Sequence, residues 1–182
     1  MENIRLSWDL FILVFFGVVI AYSFIIGRNQ TIKVIISTYM AILTADGIGN
    51  LLQTYLLPAA PSLQGEVGDQ ALVLVKIFIF VLTIVILAIR GGFLVDMNSD
   101  QSMITRLLGN LSFGFLNAGL IVSTLLVYIT GGSFVTGSIR AGFETNLYQE
   151  SQFIQTFVNN YNIWFSLPVL ALVLVSLFNR SE

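Results

Sequence analysis

Five stretches of the chain are apolar over most of their length, with short polar punctuation between them. They cover residues 10–26, 34–57, 71–95, 107–130 and 163–178. A helix needs about 20 apolar residues to cross the hydrocarbon core, and the last stretch is the shortest measured against that length. The pattern predicts an all-α polytopic membrane helix bundle, with four core transmembrane helices plus a fifth C-terminal one. Ala21-Tyr22-Ser23 resembles a small-x-small cleavage site and Arg5 an n-region. Asp9 is a poor neighbour for an n-region, so the first run reads as a retained span.

The connectors differ in character. Pro58 should end the second span, and residues 58–70 carry Pro61, Gly65, Glu66, Gly68 and Asp69 without a cation. Gly91-Gly92 should loosen the end of the third, and Ser99 or Asp100 is a cap for the fourth. Residues 133–162 are the least apolar long region, and Gly137 and Gly142 argue for loop in its first half. Over residues 147–158, Leu147, Ile154, Phe157 and Val158 share one helical side. Gln149, Glu150, Gln152 and Gln155 lie elsewhere, which describes an amphipathic helix on the membrane surface or a packed loop helix. Residues 1–182 read as one integral membrane domain without internal repeat.

The fourth span has the most structure within it. Gly109, Ser112, Gly119 and Ser123 fall on one helical face, and Gly114 with Ala118 adds a small-xxx-small pair beside it. Small residues let helix backbones approach closely, which in lipid replaces the missing hydrophobic drive. Asn117 lies among them, where an unpaired amide is costly and an interhelical hydrogen bond is the remedy. This span is expected to be the central helix against which the others pack.

Composition agrees with a membrane solvent: 56% of residues are hydrophobic and 10% charged, and the mean hydropathy is +0.88. A soluble domain carries about 25% charged residues. The net charge of −2 gives no electrostatic basis for binding nucleic acid. The chain contains neither Cys nor His, so it lacks a thiol nucleophile, the usual general base and the commonest metal ligand. No cofactor or metal is expected. Arg28, Lys33, Arg90, Arg106 and Arg180 collect on one side of the predicted spans; Arg5 and Arg140 lie on the other, with Lys76 between. The rule that Lys and Arg accumulate inside then puts the first set in the cytoplasm, the amino terminus outside and the carboxyl terminus inside.

Asp46 is the sharpest chemical signal, a carboxylate inside the second span. Such a group costs about 2.5–3.5 kcal/mol on insertion scales and persists only with a partner, a proton or a wet cavity. Three readings compete: a protonated, hydrogen-bonded structural acid; an ion pair with Lys76, Arg90 or a partner protein's cation; or a lining residue of an ion or proton path. Depth disfavours Arg90, whereas the long stem of Lys76 can reach inward. Arg28 and Lys33 suit lipid phosphates as well as orientation. No Ser, Thr or Asn stands at a spacing that supplies a nucleophile, a base and an orienting group.

The order of features resembles the colicin V production protein family of small bacterial inner-membrane proteins. Trp8-Asp9-Leu10 opens a span, and Gly27-Arg28 precedes the second. Thr105-Arg106-Leu107-Leu108-Gly109, Phe113-Gly114-Phe115-Leu116 and Gly119-Leu120-Ile121 are similar to the last core span of that family. Ser151-Gln152-Phe153-Ile154 echoes a Ser-containing amphipathic helix. Two departures are that Asn117 stands where the family has a basic residue, and that residues 163–178 add a span to its four. The resemblance implies a role in toxin production and export or envelope homeostasis, with no catalytic residues to transfer. The expected function is a non-enzymatic scaffold or accessory subunit in the bacterial inner membrane. Its expected partners are the lipid bilayer and either further copies of itself or another membrane protein. The alternative is a small channel or proton- or ion-coupled transport subunit centred on Asp46, and an intramembrane enzyme ranks last.

Overall fold

The computed structural model describes residues 8–60, 65–91, 103–135 and 151–178, all of it helices and the turns between them. Helix α1 is Trp8–Ile26, α2 Arg28–Leu51, α3 Glu66–Arg90, α4 Met103–Ile129, α5 Gln152–Asn159 and α6 Tyr161–Phe178. Helices α1 to α4 are each long and apolar enough to cross a membrane. Helices α5 and α6 are bent by 59° where they meet, and pass the same test only as a pair, forming a broken span or a re-entrant one. The fold is an all-α helical bundle, and its apolar spans make it a membrane protein.

Backbone chemistry explains where the helices stop. Gly27 takes a positive φ of 80°, open to a residue without Cβ, and turns the chain from α1 into α2. Its N–H still reaches the Ser23 carbonyl at 3.1 Å, and its own carbonyl accepts from Thr31 N–H at 3.0 Å, so the corner leaves few groups unpaired. The helical chain ends at Ala59, one residue past Pro58, by way of an irregular turn. The chain widens into a π turn over Leu52–Leu56 and continues helical through Leu57–Ala59. Proline placed in a final turn forfeits only its own hydrogen bond, and the wider turn makes room for its ring. Helix α3 begins at Glu66, earlier than its apolar run, because Asp69 and Gln70 sit in the first turns. The predicted caps Ser99 and Asp100, with Arg5, Gly137, Arg140, Gly142, Leu147, Gln149, Glu150 and Arg180, lie outside the described residues.

Contacts give the direction of each helix. Ser23 of α1 lies beside Gly114 and Asn117 of α4, while Ile12 packs with Val122 and Leu126, so α1 and α4 are antiparallel. Arg28 lies beside Gly109, and Ile42 meets Tyr128, so α2 runs parallel to α4. Tyr161 stacks edge-on to Phe134, just beyond α4, and Trp164 covers Gly119, so α6 returns antiparallel along α4. Helix α4 touches all five others. Of its membrane-length window 67% is buried, against 56% for α2 and 11% for each of α1 and α3. The outer faces of α1 and α3, among them Leu13, Val18, Phe78 and Ile89, are exposed and apolar, as a lipid solvent requires.

The bundle therefore has two electrically different ends. Among the described residues, Arg28, Lys33, Arg90 and Arg106 lie at the end where α1 and α3 finish and α2 and α4 begin. Asp9, Glu66 and Asp69 belong to the helix starts at the opposite end. Lys76 is the described cation that departs from this division.

Candidate functional site

Asp46 lies about 27 Å along α2 from Arg28 at the usual helical rise, at the middle of the predicted span 34–57. It is fully buried. Lys76 comes from α3, 5% exposed, and places its Nζ 3.2 Å from Asp46 Oδ1. Bringing a lysine stem between two helices needs space, and Gly49 supplies it. A methyl on Gly49 would stand 2.3 Å from Lys76 Cε and 2.8 Å from Cγ. The Lys76 ammonium also sits 5.8 Å from the centroid of the Tyr128 ring, within cation–π range.

The second carboxylate oxygen is used by the backbone. Helix α4 ends in a Schellman motif, with Gly131 at φ 74° and Gly132 N–H on the Val127 carbonyl at 2.8 Å. That turn sends the chain back over the helix end. Phe134 and Val135 then donate their N–H groups to Asp46 Oδ2 at 2.7 and 3.1 Å. Tyr128 completes the contact by donating its hydroxyl to the Ile42 carbonyl at 3.3 Å, one turn before Asp46. A single carboxylate thus accepts three donors and fastens α2 to α3 and to the chain after α4. A buried charge is tolerable when it is paired and its remaining lone pairs are bonded, and both conditions hold here.

A second fastening holds α4 from the other side. Trp164 of α6 lies on Gly119, where a methyl would meet its ring carbons at 2.0 and 2.2 Å. Phe157 stacks on Trp164 at 4.8 Å between centroids, and Phe16 and Phe115 close the cluster at 6.3 and 5.6 Å from Trp164. Next to it, Pro168 interrupts the hydrogen-bond ladder of α6. The Tyr39 hydroxyl of α2 reaches in and donates to the Phe165 carbonyl, the next one after the Trp164 carbonyl that Pro168 has no N–H to bond.

The other predicted residues disperse. Asn117 is 1% exposed and donates from Nδ2 to Ser23 Oγ at 3.3 Å. Gly114 receives α1 at the same level, 3.2 Å from Ser23 Cβ for an added methyl. Gly109 faces the Arg28 stem, Ala118 and Ser123 are buried, and Ser112 is exposed. The small residues therefore do not form one packing face. Gly109 meets α2, Gly114 meets α1 and Gly119 meets α6, because a central helix has neighbours on several sides. Arg90 and Arg106 are exposed at the basic end, Arg28 is half-buried, and none of the three approaches Asp46. Helix α5 applies Ile154, Phe157 and Val158 to Ile12, Val122 and Leu126 of the bundle. Its cap Ser151 accepts Ile154 N–H at 3.1 Å and donates to Asp9 of α1.

Sequence reasoning missed the Phe134 and Val135 donors, Tyr128, Gly49 and the Ser151–Asp9 contact. Gly49, three residues after Asp46, carried the one usable signal, since it marks the same helix side one turn on. Among the described residues no group of three or more acidic, His or Cys side chains could hold a metal ion. Comparison with known proteins yields no matching family model, no matching curated protein and no matching solved structure.

Proposed function

We propose that the chain is a non-enzymatic membrane scaffold or accessory subunit. It would sit in a bacterial inner membrane, in the manner that its resemblance to colicin V production proteins implies. The observation that supports this most is the saturation of Asp46. Its oxygens are occupied by Lys76, Phe134 and Val135, all of them architectural partners. The strongest intramembrane charge thus serves helix registration rather than presenting an unpaired carboxylate to an ion. The segregation of Arg28, Lys33, Arg90 and Arg106 to one end supports an orientation with that end in the cytoplasm and the amino terminus outside. The partners would be the bilayer and a second copy or another membrane protein.

Two measurements test the reading. Purification in mild detergent with mass determination should return the chain within a defined complex. Reconstituted vesicles should show no protein-dependent proton or cation flux, and a flux abolished by Asp46→Asn in protein that is still folded and inserted would establish the transport alternative instead. Reporter fusions after Gly65 should read external and those after Asn98 cytoplasmic; the reverse at both sites would overturn the orientation.

A further inference from the structure

Where α1 begins and α4 ends, the two helices leave a groove of about 120 Å³ between them, and every residue that lines it is apolar. Its floor is Ile12, Val122 and Leu126, all buried. Its rim is Phe11, Phe15, Leu125 and Ile129, which are half-buried or exposed, so the groove opens sideways. Helix α5 covers the same seam from the other side, where Phe16 meets Phe157 at 5.9 Å between ring centroids. Phe11 and Phe15 turn the opposite way around α1. From Val122 to Ile129 the groove follows α4 for two turns, about 10 Å, along the bundle axis.

Such a lining does not hold water. An apolar cavity of about 150 Å³ in a protein interior stays dry and admits benzene, and this groove is of the same class. Left empty, its floor forfeits the dispersion contacts that the rest of the seam makes. The occupant is therefore hydrocarbon, and size decides which kind. A helix with its side chains is about 10–12 Å across, too broad to sink between α1 and α4. A lipid acyl chain is narrow and flexible, runs along the bundle axis as the groove does, and is the solvent of both helices. Ile129 is the last residue of α4 and Phe11 the fourth of α1, so the groove faces the acyl chains of one leaflet.

We propose that this groove is a binding site for one lipid acyl chain, held at the acidic end as a packing element of the bundle. Near the basic end Gly114 and Asn117 hold α1 against α4. At the acidic end α5 holds it from one side and the acyl chain from the other. The site recognises hydrocarbon and not a headgroup, since no polar side chain lines it. It rests on the membrane placement of α1 and α4 and is independent of the scaffold reading.

The test uses the unsubstituted chain in phosphatidylcholine vesicles that contain a phosphatidylcholine with a diazirine in the upper half of one acyl chain. Labelled residues are located by mass spectrometry after photolysis. Val122 and Leu126 should be labelled although both are buried, together with the exposed Leu13 and Val14 on the outer face of α1. Leu120 and Val127, buried on the opposite side of α4, should stay unlabelled. Label on Leu13 and Val14 without label on the floor would overturn the proposal, and it is the pattern that a second copy seated in the groove would give. Label on Leu120 equal to that on Val122 would overturn it too, because acyl chains would then reach α4 without the groove. No label on Leu13 or Val14 would refute the membrane placement itself, and the site with it. A second measurement fills the groove with an indole, through Leu125→Trp. In vesicles where Leu13 still takes label, the label on Val122 and Leu126 should be lost. Floor label that survives this substitution would equally sink the idea.

Discussion

The Asp46 lock and the Trp164 cluster fasten the same helix, α4, by opposite physics. The lock is polar and directional: one carboxylate accepts Lys76 Nζ at 3.2 Å and two backbone N–H groups at 2.7 and 3.1 Å. The cluster is apolar, and rests on ring surface meeting a residue without a side chain, Gly119. Neither can draw on the hydrophobic effect as a soluble core does, since lipid is as apolar as the rings. The lock works because its charges have no better alternative in hydrocarbon. The cluster works because shape allows many dispersion contacts at once. A polar fastening should therefore fail when one partner is deleted and recover when both are. A steric fastening should fail when volume is added and recover when the opposing volume is removed.

The largest effect is expected at the lock. Lys76→Met leaves the Asp46 carboxylate buried with only backbone donors, and breaking a buried pair in this way costs about 3–5 kcal/mol. Asp46→Asn strands the ammonium and should cost a similar amount. The double variant Asp46→Asn/Lys76→Met, with no charge left to strand, should recover most of the loss. Unfolding in detergent, followed for all four proteins as a double-mutant cycle, measures the coupling. Additive losses would show that the pair does not act as a unit, and the contrast with the aromatic cluster would collapse.

The steric fastening should give way next. A methyl on Gly119 overlaps the Trp164 ring, so Gly119→Ala should destabilise by about 1–3 kcal/mol and Gly119→Leu by more. Trp164→Ala should suppress the Gly119→Ala defect, because the overlapped ring is gone. Gly114→Ala sharpens the point, since its nearest contact is 3.2 Å from Ser23 Cβ and a shift of tenths of an ångström relieves it. Its loss should be clearly smaller. Equal losses at the two glycines would mean that helix propensity or lipid contact, not Trp164, sets the effect.

How far these fastenings can be read from the chain follows the same division. An acid within an apolar run advertises its need, so Asp46 was legible, and stem length pointed to Lys76 over Arg90. Phe134 and Val135 were not, because every residue but proline carries the N–H they donate, and side-chain chemistry cannot mark it. The spans were legible from their length, and the second ends one residue past Pro58, but the π turn just before that proline was not legible. Small residues announced that α4 is closely approached without saying by what. Gly119 and Ser112 share a helix side in the periodicity, yet Trp164 covers the first while the second is exposed. Trp164 itself read only as an aromatic near the start of a span. Which ring meets which glycine is decided by helix directions that a one-dimensional pattern does not contain.

The smallest predicted effect asks whether the strength of a polar fastening follows its burial. Ser151 caps α5 by accepting Ile154 N–H, and its hydroxyl proton goes to Asp9 Oδ1 at the start of α1. This contact also ties two elements through a carboxylate, but it lies at the end of the bundle and Asp9 is only partly buried. Ser151 is buried, but water can reach the partly exposed Asp9, so the penalty for stranding Asp9 should be slight. Ser151→Ala loses the cap as well, and should cost about 1 kcal/mol, the usual value for a helix N-cap. Asp9→Asn keeps an acceptor oxygen for the hydroxyl and should change stability by less than that. The two substitutions, followed by thermal unfolding in detergent, place this contact well below the Asp46 lock. If Asp9→Asn instead proved as damaging as Lys76→Met, charge rather than burial would govern both contacts, and the end of the bundle would be as dry as its interior.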